Sequence, residues 1–154
     1  MTAMKEILLV VTNSSRTKLF RGGENHKIQE IRVIHNPRVR PRMITPRTTQ
    51  PPNMHASDIA NSIIVNNKYG HEKEYIRRYS LRVCHAIARE INKSGLQNII
   101  LVATPVMTNI LRSKLNKRFL DKIVYTLKKD MVNNNLVDVV TSLSFQFQKH
   151  FRLD

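Results

Sequence analysis

Two uninterrupted apolar runs, Ile7-Leu8-Leu9-Val10-Val11 and Ile99-Ile100-Leu101-Val102, set the architecture. Each is too short to be a helix and is rich in β-branched residues, so each reads as a buried strand. Between and after them the hydrophobic period changes. Thr12-Asn13-Ser14-Ser15 is a turn cluster, and Thr17 to Arg21 forms a second strand through Leu19 and Phe20. Gly22-Gly23 then supplies the positive φ of a hairpin turn. Lys27 to His35 alternates, with Ile28, Glu30, Arg32 and Ile34 on one side and Gln29, Ile31, Val33 and His35 on the other, which predicts a third strand.

Helical spacing runs from His71 to Lys93, where Ile76, Tyr79, Val83, Ile87 and Ile91 recur beside Cys84 and Ala88. Ser94-Gly95 closes that helix, glycine suiting the left-handed cap. After the second buried strand, Asn98 to Ala103, Thr104 is placed to cap a helix and Pro105 to occupy its first turn. That helix points Met107, Ile110, Leu111, Leu115 and Phe119 inward. Ile123 to Leu127 is a last strand, and Leu136, Val140, Leu143 and Phe147 have the spacing of a last helix. The order β-β-β-α-β-α-β-α predicts one α/β domain over residues 1–154. An antiparallel meander followed by right-handed βαβ crossovers gives a mixed five-stranded sheet with helices packed on it.

One stretch differs in kind. Asn36 to Asn53 holds Pro37, Pro41, Pro46, Pro51 and Pro52, with Arg38, Arg40, Arg42 and Arg47 between them and no acidic residue. Proline blocks helix and central strand alike, so this stretch reads as extended and cationic. Polar residues continue to Gly70, broken by an apolar patch, Ile63-Ile64-Val65, and the expectation is a long Pro/Arg-rich loop over about 36–70.

Charge narrows the function. The 154 residues carry 26 Lys and Arg against 11 Asp and Glu, a formal net charge of +15. Such an excess attracts polyanions, and RNA or the ribosome is the expected partner. An anionic membrane surface or an acidic protein would also satisfy it. Arg forks match phosphate oxygens and stack on bases, so Arg38, Arg40, Arg42 and Arg47 are the first candidate contacts. Basic stripes on the two long helices extend the set to Arg78 and Arg82, with Arg89 and Lys93, and to Arg112 and Lys117, with Lys114 and Arg118. The competing reading of such stripes is a solvated helix face. Tyr69, Tyr75 and Tyr79 lie near the loop and could stack on bases, although Tyr79 fits the core better.

Catalytic patterns are missing. His26, His35, His55, His71, His85 and His150 contain no His-Glu-x-x-His pair, and one cysteine cannot form a disulfide or a paired zinc site. No metal or other cofactor is expected. Ser14-Ser15 is not a nucleophile elbow, and no phosphate-binding glycine loop occurs. Asp58, Asp121, Asp130 and Asp138 would form a metal-dependent nuclease site only if the fold gathered them. Met1 to Glu6 leads into five apolar residues, too few for a signal-peptide core or a membrane span, so the reading is a cytoplasmic protein without membrane insertion.

Ile7-Leu8-Leu9-Val10-Val11-Thr12-Asn13-Ser14-Ser15-Arg16-Thr17-Lys18-Leu19-Phe20 resembles the start of the bacterial host-attachment protein family. The likeness resumes at His71-Glu72-x-x-Tyr75 and at Asn98-Ile99-Ile100-Leu101-Val102-Ala103-Thr104-Pro105. It ends with Leu111-Arg112-x-x-Leu115 and Lys129-Asp130. Thr104 stands where the family tends to have Pro. The element order is also similar to the middle domain of archaeal and eukaryotic class-1 release factors and of the rescue factor Pelota. In release factors the loop after the third strand carries a Gly-Gly-Gln motif. Here the only Gly-Gly, Gly22-Gly23, precedes Glu24. The resemblance therefore implies ribosomal RNA binding without peptide release. Host attachment through a protein partner and metal-dependent hydrolysis are the alternatives.

Overall fold

Strand β1 (Ile7–Thr12) is fully buried and divides its side chains between two cores. Leu8 and Val10 point into one cluster, Ile7, Leu9 and Val11 into the other. Strand β4 (Asn98–Ala103) does the same, with Ile99, Leu101 and Ala103 opposite Ile100 and Val102. A strand alternates sides every residue, so an unbroken apolar run is stable only when both faces of its sheet are covered.

The computed structural model describes residues 6–23, 26–36 and 54–148, and side chains for all of these except 26, 54–72, 145 and 146. Strands β2 (Arg16–Gly23), β3 (His26–His35) and β5 (Ile123–Lys128) complete a mixed sheet in the order β3-β2-β1-β4-β5. The β1–β2 and β2–β3 pairs are antiparallel, and the β1–β4 and β4–β5 pairs are parallel. Helices α1 (Met54–Ser94) and α2 (Pro105–Lys114), with the short α3 (Lys117–Leu120), cover one face. The short α4 (Leu136–Thr141) and α5 (Phe145–Gln148) cover the other, Phe147 lying 5.0 Å from the Tyr125 ring. The expected α/β class and five-stranded mixed sheet are therefore present.

Several details differ from expectation. The loop expected over 36–70 is helical from Met54 onward, so α1 has 41 residues and is about 60 Å long. Residues 54–69 contain no proline, and a single Gly70 inside a helix costs only about 1 kcal/mol. Polar composition had disguised a segment with no true breaker. Gly22 and Gly23 do not turn; Gly22 pairs with Ile7, and Gly23 pairs with His26. Among the described glycines only Gly95 has positive φ, at 68°, where it ends α1. Phe119 sits on α3 rather than α2, because the chain leaves the helix at Leu115 and restarts behind an Asn116 cap. The last helix is likewise two short ones.

Strand β3 holds a further correction. Strict alternation puts Ile28 and Ile34 on one face, yet they enter different cores. Leu19 pairs with Arg32 and Phe20 with Glu30, so Ile31 is an extra residue in a bulge. One inserted residue flips every side chain beyond it, and that explains the mixed faces.

Candidate nucleic-acid interface

Strands β1, β3, β4 and β5 all end at one edge of the sheet. Across it the register runs Ile34, Thr17, Thr12, Ala103, Lys128. Thr12 and Thr17 are completely buried there, and buried hydroxyls need partners. Their oxygens lie 2.6 Å apart, and Thr17 Oγ1 lies 2.5 Å from the Tyr79 hydroxyl. Tyr79 in turn donates to the Asn13 carbonyl at 3.1 Å. Burial raises the Tyr79 pKa, which keeps the hydroxyl protonated as a donor. This chain of hydroxyls fastens α1 to the sheet edge.

Asn13 organises the loop above. Its Oδ1 accepts from the Ser15 and Arg16 amides, both at 2.8 Å, and from the Ser15 hydroxyl at 2.9 Å. This is an Asx turn, for which a short amide side chain at a strand end is suited. Its Nδ2 donates to both oxygens of Asp130, at 3.2 and 3.3 Å, tying the β1–β2 turn to the segment after β5. Arg16 reaches Asn133 Oδ1 at 2.5 Å.

The chain enters the Pro/Arg stretch from this same edge. Asn36 is buried; its amide donates to the Ser15 carbonyl at 2.8 Å and its Nδ2 to the Ser14 carbonyl at 3.1 Å. Arg82 Nη1 approaches the His35 carbonyl at 3.4 Å. Arg38, Arg40, Arg42 and Arg47 lie outside the described residues, as do the side chains of His55, Asp58, Tyr69, His71 and Glu72.

The other expected contacts do not form one footprint. Arg78 and Arg82 are exposed on the outer side of α1, near the edge just described. Arg78 is partly neutralised: Glu74 accepts from its Nε at 2.9 Å and from Arg77 Nη2 at 2.8 Å. Those two guanidinium hydrogen bonds lower the Glu74 carboxyl to about 2. Arg112 instead bonds Thr126 on β5 at 3.1 Å. Lys117 opens α3 at the opposite sheet edge, where the Ile99 amide meets the Lys122 carbonyl. Arg112 and Lys117 thus stand apart from Arg82, since α2 runs down the sheet away from Thr104. Arg16 belongs to the upper edge and was not singled out from sequence; its only signal was an arginine directly after a strand-ending turn.

Among the described residues, no three His, Cys, Asp or Glu side chains meet in a metal-binding arrangement. Asp121 and Asp130 flank β5 at its two ends, about 20 Å apart for a six-residue strand. Asp138 lies on α4, on the far face of the sheet from α1. Cys84 is buried, and burial pushes its thiol up to about 11, where the nucleophilic thiolate is scarce. Among the described residues no helix is long and apolar enough to cross a membrane.

The family model described as "Protein required for attachment to host cells" matches residues 8–143. The chain belongs to that family. Its match spans all five strands and α1 through α4 of this host-attachment family member, including the turn at Asn13 and the Asp130 that holds it. No curated protein matches the chain.

Proposed function

We propose that this host-attachment family protein is a non-enzymatic binder of RNA, with the ribosome as the source of that RNA. The observation that carries the reading is the anchoring of Asn36. A net charge of +15 is joined to a Pro/Arg stretch that starts from a fixed point beside Arg16 and Arg82. A cationic segment tethered to a rigid edge loses less entropy on docking than a free tail. The element order likened to release factors and Pelota supports ribosomal RNA as the target, and the missing Gly-Gly-Gln argues against peptide release.

Cosedimentation of the full chain with ribosomes at 50 and 200 mM salt tests this. Binding at the lower salt should weaken by on the order of 10³–10⁵ at the higher if about six to ten phosphates are contacted. Replacing Arg38, Arg40, Arg42 and Arg47 by alanine should flatten that dependence. Salt-independent cosedimentation, or none, rejects the proposal. A second reading follows the family description: a protein-binding role in attachment to host cells. Accumulation of the protein at the bacterial surface, with no ribosome association, would favour it.

A further inference from the structure

The outer side of α1 carries a row of bases that the Pro/Arg stretch does not explain. Arg78, Arg82, His85, Arg89 and Lys93 are all exposed. Steps of four, three, four and four residues keep them within about 80° of one helix face and spread them over about 22 Å. From residue 78 to 93 the one carboxylate is Glu90, half-buried and about 100° around the helix from the centre of the row. Among the described residues, no carboxylate bridges Arg82, Arg89 or Lys93. Like charges at these spacings destabilise a helix by a few tenths of a kcal/mol per pair. From Arg82 to Lys93 the face therefore keeps a charge that no carboxylate among the described residues bridges.

Resting on the RNA reading above, we infer that this face docks the phosphate backbone of double-stranded RNA, while the Pro/Arg stretch serves single strands. The RNA reading supplies the choice of RNA, and two observations select a duplex. First, the row has no exposed Tyr or Phe between Arg78 and Lys93; Tyr79 is buried, and Tyr75, one turn before Arg78, is half-buried. Single strands are held by bases stacked on aromatic rings, so a face without them suits a ligand read through its backbone. Second, the row is straight and rigid, because Tyr79, Val83, Ile87 and Ile91 on the inner side are packed into the core. A basic row of this length can lie across the wide, shallow minor groove of an A-form RNA duplex and meet the phosphates along it.

The test uses the full chain, an RNA duplex of about 16 base pairs, a DNA duplex and an RNA single strand of equal length, each titrated at several salt concentrations. Replacing Arg82, Arg89 and Lys93 by alanine should make the log–log salt slope for duplex RNA shallower by about 2–3, near 0.9 per lost phosphate contact. Single-strand affinity should change less than about twofold. Substituting Lys for Arg82 and Arg89 should restore the duplex slope, since point charges suffice against phosphates; it also shows that loss of binding is not loss of fold. The inference is overturned if the triple variant leaves the duplex slope unchanged, if single-strand binding falls as much, or if duplex DNA binds more tightly than duplex RNA. A quadruple variant at Arg38, Arg40, Arg42 and Arg47 separates the two ideas. Losing duplex and single-strand binding together in that variant, with the α1 row intact, overturns the inference and leaves the RNA reading standing. Absence of any RNA binding by the native chain rejects both.

Discussion

The sheet edge around Asn13 and the outer face of α1 use polar side chains in opposite ways. At the edge, Thr12, Thr17, Tyr79 and Asn13 are buried and satisfy one another. On α1, Arg82, Arg89 and Lys93 face solvent with no carboxylate bridging them among the described residues. Buried polar groups are costly unless paired, so the edge spends its hydrogen bonds on the fold. Exposed charges add little to stability, so the helix face is free for the RNA contact proposed above. Substitutions should therefore separate cleanly into those that unfold and those that only unbind.

The largest effect is expected at Tyr79. Tyr79→Ala removes a buried ring from the junction of α1 and the sheet and should cost about 3–5 kcal/mol in urea unfolding. Tyr79→Phe isolates the hydroxyl and should cost about 1–3 kcal/mol, because its bonds to Thr17 and to the Asn13 carbonyl are lost from a buried site. A cost under about 0.5 kcal/mol for Tyr79→Phe would mean that the hydroxyl network does not hold the helix. Asn13→Ala should cost about 1–3 kcal/mol by freeing the Ser15 and Arg16 amides and Asp130 together. Asp130→Ala, which removes only one arm of that arrangement, should cost less than Asn13→Ala in the same assay.

The helix face should behave in reverse. Arg89→Ala should change stability by less than about 0.5 kcal/mol while lowering the salt slope for duplex RNA by about 1. A stability loss comparable with that of Tyr79→Phe would erase the contrast between the two regions. The smallest effect concerns Glu74. Its carboxyl is depressed from 4.5 to about 2 by Arg77 and Arg78, so the charged form is favoured in the folded chain. Its contribution is complete above about pH 4.5 and disappears as pH falls toward 2. Carboxyl NMR should find the midpoint near 2, moving back toward 4.5 when Arg77 and Arg78 are both alanine. An unmoved midpoint would reject the ion-pair origin.

Much of the architecture was legible in the chain. Ile7 to Val11 and Ile99 to Val102 announced two doubly covered strands, and Tyr79, Val83, Ile87 and Ile91 announced the buried side of α1. Thr104 does cap α2, accepting from the Met107 amide at 3.2 Å. These features follow from local rules, namely side-chain period and terminal hydrogen bonding, that need no distant partner. The N-terminal part of α1 was not legible, because its few apolar residues, Ile59, Ile63, Ile64 and Val65, stand among polar ones directly after a proline-rich stretch. The bulge at Ile31 was hidden as well, since an extra residue appears only when β2 sets the register against β3.

The basic candidates divide along the same line. That Arg78, Arg82, Arg89 and Lys93 share a face follows from helical spacing alone. That Arg112 and Lys117 lie elsewhere depends on the path of α2 down the sheet, which the packing of Met107 and Leu111 against β4 decides. Local pattern fixed all five strands, the second half of α1 and where charge is dense, but not the first half of α1. The tertiary structure alone joined Asn13 to Asp130, 117 positions away, and Thr17 to Tyr79, 62 positions away. Local propensities carry no information about such pairs. Only closing the sheet brings their atoms within hydrogen-bonding distance.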